Sequence, residues 1–241
     1  MESEINTLMK RAMQILFASV LFLSFSTTLM HAQSKEACYA GNGNACFDVA
    51  VSYAVGFLSE GDPVAADAWY KRALAIFRTE CSNGKMIACQ SLGGMYLSAQ
   101  GVTKDEAQAS SFYRKACDGG YMSGCASLGY MYSRGKGVSK NQGEAIVLYR
   151  KACDGGDGGG CDSLAEAYYS GEGMPQDKTK ALELYRKACT GGYSWSCETL
   201  GEAYEAGKGV PQDKTKAIEL YRKACSLRST SSACDKLPEK R

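Results

Sequence analysis

Apolar residues recur four apart in short bursts along this chain. Leu92 and Tyr96, Leu128 and Tyr132, Leu164 and Tyr168, and Leu200 and Tyr204 form such pairs. Residues i and i+4 lie one turn apart on a helix, so each pair marks one face of a helix, here called A. Glycine-rich breaks follow, GKGV at 135–138 and GEGMP at 171–175, where glycine permits the backbone angles of a tight turn. Asp105, Asn141, Asp177 and Asp213 then stand where a helix N-cap belongs, and Asn141 with Glu144 has the spacing of a capping box. A second helix, B, carries Ala181, Tyr185 and Ala188 on neighbouring faces. It runs into CDGG or CTGG, and glycine just past the last turn is a helix stop.

The hairpin repeats. YRKACDGG begins at Tyr113 and again at Tyr149, and YRKACTGG at Tyr185, a period of 36 residues. A fixed period of this length predicts stacked supersecondary units, each burying its apolar face on the next. The predicted fold is all-α: an α/α superhelical solenoid of helical hairpins. Boundaries drawn at the second cysteine of each unit give repeats at 89–124, 125–160, 161–196 and 197–233, a longer divergent repeat at 46–88 with EGDP in place of the GxGV turn, an N-terminal cap fragment at 33–45 and a C-terminal cap or tail at 234–241. Gly93, Gly129 and Gly201 on helix A would let the paired helix approach closely.

Twelve cysteines follow the same period. Each hairpin junction carries two, separated by eight residues, or nine at the last. The predicted pairs are Cys38–Cys46, Cys81–Cys89, Cys117–Cys125, Cys153–Cys161, Cys189–Cys197 and Cys225–Cys234, the alternative being buried free thiols. An oxidising compartment fits the N-terminus. Lys10 and Arg11 precede the uncharged stretch from Ile15 to Phe25, then polar small residues and Ala32, the layout of a secretory signal peptide over residues 1–32. Glu2, Glu4 and Met30 fit that pattern poorly, and translation from Met9 would improve it; an uncleaved membrane anchor is the alternative. The expected location is periplasmic or secreted.

Composition narrows the chemistry. A net charge of +2, without a long run of one sign, argues against a nucleic-acid footprint and against a polybasic membrane patch. His31 is the only histidine and falls inside the signal segment, so a mature chain has no Ser-His or Cys-His site and no His-ligated zinc. Cys-x7-Cys is neither a zinc nor a thioredoxin spacing. No cofactor and no metal are expected, and a monomer is. The glycine run at Asp154–Gly160 lacks the Lys-Ser/Thr continuation of a phosphate loop and aligns with the junction turn at 118–124. It reads as a loosened junction.

LGxxYxxGxGVxxDxxKAxxxYRKA stands most completely at Leu200–Ala224. It resembles the Sel1-like repeat, a relative of the tetratricopeptide repeat. With a cysteine pair per unit and a signal segment, the chain resembles the exported cysteine-rich Sel1-like proteins of the Hcp type. The resemblance implies an interaction scaffold whose A helices line a concave surface. On that face stand Tyr130 and Arg134, then Asp162, Glu166 and Tyr169, then Glu198, Glu202 and Glu205, a groove aromatic in the middle and acidic toward the C-terminus. Such a groove suits a protein or peptide with basic groups, or an amino-bearing cell-wall glycan. The Hcp type also carries a penicillin-binding and weak β-lactamase label, which makes β-lactam hydrolysis the alternative. Only the first of the serine β-lactamase elements is present, S-x-x-K at Ser82–Lys85 and Ser133–Lys136, and both matches fall at repeat-aligned turns.

Overall fold

The computed structural model describes residues 32–56 and 61–238, so the expected signal segment lies, but for its last residue, outside the described residues. These residues form α-helices and one short 3-10 turn, with no strand among them. Residues 32–39 are helical (α1). They are followed by α2 (Gly43–Ala54), α3 (Pro63–Ser82), α4 (Met86–Ser98), α5 (Glu106–Asp118), α6 (Met122–Arg134), α7 (Gln142–Asp154), α8 (Gly158–Ser170), α9 (Lys178–Thr190), α10 (Ser194–Ala206), α11 (Lys214–Leu227) and the 3-10 turn Ser232–Cys234. From α4 onward the even-numbered helices are the A helices and the odd-numbered ones the B helices.

The described residues divide into two compact units, one of those up to residue 79 together with 99–103, the other of residues 80–98 with 104–238. In the first, α2 lies against the long α3, where Gly43 has no room for a side chain beside Phe77 (2.6 Å from a Cβ built there). Aromatic rings fill the space around them: Phe47 meets Tyr70 edge-on at 5.3 Å between centroids, and Tyr39 meets Trp69 at 5.5 Å. At 20 residues α3 is longer than the 13- or 14-residue B helices that follow, in line with the divergent second helix read from the sequence.

The second unit repeats one hairpin. Every B helix from α5 to α11 starts at an Asp or Asn whose side chain accepts the amide hydrogen three residues on: Asp105 from Gln108, Asn141 from Glu144, Asp177 from Lys180 and Asp213 from Lys216. Each cap contributes about 1 kcal/mol. The A and B helices then meet through a tyrosine laid on a glycine. A Cβ at Gly93 would stand 2.4 Å from Tyr113, at Gly129 2.7 Å from Tyr149, and at Gly201 2.6 Å from Tyr221. The third hairpin has Ala165 at this place, fully buried with Tyr185 and Ala181.

At the junctions a disulfide ties the end of one helix to the start of the next, the 3-10 turn standing in for a helix at the last. All six pairs predicted from the spacing are present, with Cα atoms 4.4 to 5.0 Å apart. Each closes a loop short enough to contribute about 2.5 kcal/mol on the chain-entropy account. The two glycines after the cysteine have separate reasons. The second, at 120, 156 and 192, is left-handed with φ of +86°, +89° and +91°. The first leaves room for the preceding unit's methionine: a Cβ at Gly119 would stand 2.2 Å from Met86 and at Gly155 2.4 Å from Met122. At the third junction Gly158 takes the methionine's place, and a shallow cleft of about 330 Å³ opens there. The glycine run nevertheless builds a helix start, because Asp157 accepts from the Gly160 amide (2.7 Å) and from the Ser123 hydroxyl (2.6 Å).

Gly201→Ala is expected to lower stability by about 1–3 kcal/mol through overpacking against Tyr221. Ala165→Gly should cost about 1–2 kcal/mol, through backbone entropy and the loss of a buried methyl, with no overpacking. Thermal denaturation of the oxidised chain compares the two, and a harmless Gly201→Ala would refute the tyrosine-on-glycine account.

Candidate functional site

On the second unit, side chains along α6, α8 and α10 stand around the B-helix tyrosines Tyr149 and Tyr185. Two neighbouring clefts result. One, of about 260 Å³, lies between α6 and α8 over α7 and takes in Tyr130, Arg134, Tyr149, Asp162 and Glu166. The other, of about 470 Å³, lies between α8 and α10 over α9 and takes in Glu166, Tyr169, Tyr185, Glu202 and Glu205. Glu166 belongs to both. Seven of the eight residues read from the sequence as a groove thus line two adjoining clefts.

Glu198 is the exception. It is 7% exposed, beneath the C-terminal turn. Ser231 donates a hydroxyl to its Oε2 at 2.7 Å, Ser232 donates to its Oε1, and Arg228 and Lys236 stand 4.0 Å away. The expectation of an exposed ligand-binding Glu198 is therefore corrected: the one-residue slip at the last junction folds residues 229–237 back over it. Burial works to raise the Glu198 carboxyl, but the Ser232 and Ser231 hydroxyls, with Lys236 and Arg228, outweigh it and hold it below the usual carboxylate range.

Tyrosine hydroxyls organise the floor of the clefts. Tyr185 donates to Glu166 Oε2 at 2.8 Å, Tyr221 to Glu205 Oε2 at 2.7 Å, and Tyr149 to Ser133 Oγ at 3.2 Å. Burial, with the carboxylates beside them, pushes the Tyr185 and Tyr221 phenols up, so both stay protonated donors. Asp162 is half-buried, and burial raises its carboxyl. The Ser196 hydroxyl, 2.6 Å away, opposes that rise, and the Glu166 charge one turn on adds to it. Tyr130 and Tyr169 are each 40% exposed, with Lys136 over the first ring and Lys178 over the second. Trp195, in a junction, stacks under the Arg228 guanidinium at 3.6 Å.

The S-x-x-K serines are differently engaged. Ser133 Oγ donates to the Tyr130 carbonyl (2.9 Å), while Lys136 Nζ donates to the Tyr130 hydroxyl (3.3 Å). Lys85 pairs with Glu80 at 2.6 Å. Lys136 is thus turned to the Tyr130 hydroxyl and Lys85 to the Glu80 carboxylate. Among the described residues no His/Cys/Asp/Glu group is arranged to hold a metal ion, and no helix is long and apolar enough to cross a membrane.

The Sel1 repeat model matches residues 43–75, 87–121, 123–157, 160–193 and 197–229. The chain belongs to the Sel1 repeat family. Sel1 repeat proteins generally bind other proteins. Its fold is similar to the crystal structure of a Sel1 repeat protein from Oxalobacter formigenes, at 25% identity and a TM-score of 0.63 over 81% of this chain and 76% of that one. It is similar also to c5321, a protective antigen present in uropathogenic Escherichia coli strains, at 32% identity and a TM-score of 0.55 over 81% of this chain but 40% of that one. Cysteine rich protein B of Helicobacter pylori matches at 34% identity, with a TM-score of 0.46, over 56% of this chain and 96% of that one. No curated protein matches the chain significantly. Disulfides sit at the repeat junctions, and six of them point to an oxidising, extracytoplasmic location.

Opposite pH behaviour is expected at the buried Glu198 and half-buried Asp162 carboxyls. The Glu198 carboxyl is depressed in the folded chain, so its contribution is present above the unfolded value near 4 and is lost as pH falls through the folded value. Glu198→Gln should cost about 1–2 kcal/mol at pH 7, the gap closing as pH drops below about 4. The Asp162 carboxyl is raised, so ionisation weakens the fold as pH climbs from about 4 through the folded value. Asp162→Asn should be at least as stable as the native chain at pH 7 and lose that advantage in acid. Melting temperatures across pH 3–8 check both signs.

Proposed function

We propose that this protein is an exported scaffold, periplasmic or secreted, that holds an extended protein or peptide segment bearing basic groups across the A-helix face of its second unit. The observation that carries this reading is the pair of adjoining clefts sharing Glu166, with tyrosine floors and the carboxylates of Asp162, Glu166, Glu202 and Glu205 in their walls. An extended segment suits the arrangement, since successive side chains can enter successive clefts. Arg134, Lys208 and Lys236 stand in the same walls, so the face is mixed rather than uniformly acidic. A partner with spaced basic groups among neutral or acidic ones fits it better than a continuous cationic run. An amino-bearing glycan shares the ammonium and is separated from a peptide by the test below. Repeat proteins stack without long-range contacts, so side chains on this face vary without disturbing the core behind them. No observation favours the β-lactam-hydrolysing reading, whose Ser133, Lys136 and Lys85 are engaged elsewhere.

Fluorescence anisotropy of labelled peptides tests the reading. Peptides with spaced lysines or arginines should bind the oxidised chain saturably, more weakly as salt rises. Charge reversal at Glu166, Glu202 and Glu205 to Lys should weaken them at least tenfold. Equal binding of an acidic peptide, equal binding by the reversed chain, or binding of a chitosan oligomer alone would overturn the peptide-scaffold reading.

A further inference from the structure

We propose that the cleft between α8 and α10 contains a seat for one lysine side chain supplied by a partner, built from its own Glu166 and Tyr185 with Asp162, one turn before Glu166, from the adjoining cleft. The proposal rests on the scaffold reading and deepens it. Its warrant is that the chain fills the next copy of this seat with a lysine of its own.

That occupied copy lies one repeat further on. Lys236, from the C-terminal turn, donates its ammonium to Glu202, stands 4.0 Å from Glu198 and sits 5.0 Å from the centre of the Tyr221 ring. Glu202, Glu198 and Tyr221 lie 36 residues after Glu166, Asp162 and Tyr185, so the period places the same acid, second acid and ring in the preceding hairpin. Even the fixing of the second acid is repeated: Ser196 donates to Asp162 as Ser232 donates to Glu198.

The preceding hairpin lacks the lysine. Lys236 stands two residues after Cys234, and two residues after Cys197 stands Thr199. Thr199 lines the cleft, but its side chain ends at the γ atoms, far short of a lysine's reach. Glu166 keeps one oxygen for the Tyr185 phenol, and no cation among the described residues pairs with it. In the occupied copy the ring's phenol goes instead to Glu205, whose counterpart here is Tyr169. That exchange leaves a 40%-exposed ring beside the seat, against which a lysine's four-carbon stem can lie. One repeat earlier the two acid positions hold Tyr130 and Ala126, so the seat exists in one cleft only. Lysine rather than arginine is the expected guest, because the template is a compact ammonium shared between two carboxylates and a ring, not a planar fork.

Two experiments on the oxidised full chain decide it. In the first, a short acetylated and amidated peptide of alanine and glycine with one central lysine is titrated against labelled protein by NMR, beside its norleucine counterpart. The lysine peptide should shift amide signals within 162–169 and 199–203 saturably, the norleucine peptide should not, and Glu166→Gln should weaken the effect at least fivefold. Equal response to norleucine, or an unchanged affinity in Glu166→Gln, overturns the seat. In the second, Thr199→Lys places a lysine two residues after Cys197, as Lys236 stands two residues after Cys234. It should melt higher than Thr199→Met, lose that gain when combined with Glu166→Gln, and no longer respond to the lysine peptide. Equal melting of the Lys and Met variants overturns the proposal independently of any added ligand. If these fail while basic peptides still bind and charge reversal still abolishes binding, the seat is wrong and the scaffold reading stands.

Discussion

The constraint on which the rest of this structure depends is the disulfide across each hairpin junction. A stack of hairpins has only neighbour-to-neighbour contacts, so an error in the rotation of one hairpin on the next is not corrected by anything distant. Here each junction is pinned with Cα atoms 4.4 to 5.0 Å apart. A left-handed glycine reverses the chain within the same few residues. Met86 and Met122 then close the first two seams of the second unit, each over a glycine with no room for a side chain. With rotation fixed, the A-helix faces come into line and the clefts between them repeat.

The consequence for function is a division of labour inside one helix. Along an A helix the leucine, the glycine or alanine, and the tyrosine one turn on face the paired B helix and recur with the period. The positions between them face the clefts and differ from copy to copy: Ala126 and Tyr130, then Asp162 and Glu166, then Glu198 and Glu202. A scaffold of this kind changes what it holds without changing how it stands. Glu166 and Glu205 each accept a tyrosine phenol at a cleft wall, while Glu198 is spent on closing the C-terminal end.

Most of the fold was legible because its signals are local and repeated. Asp105, Asn141, Asp177 and Asp213 could be named as caps from spacing, and each accepts the amide three residues on. The cysteine pairs followed from an eight-residue offset at every junction, and the glycines at 93, 129 and 201 from their place on the buried face. What the period could not convey is where it stops. Glu198 reads as the next exposed acid in a series, yet the turn after Arg228 covers it, and that turn lies where the spacing slips from eight to nine. Lys236 went unnoticed for the same reason: it belongs to no repeat, and only its contacts with Glu202 and Glu198 give it meaning. The replacement of a junction methionine by Gly158 carried a signal in the alignment, but the shallow cleft it leaves depends on how Tyr193 packs beside it.

Disulfide mapping of the oxidised protein by mass spectrometry of its unreduced proteolytic peptides tests the central claim most directly. The account predicts six linkages, each joining cysteines eight residues apart, or nine at the last junction, with no alkylatable thiol. A linkage between cysteines of different junctions would contradict it, because the register that aligns the A-helix faces, and with them the clefts, would then be something else.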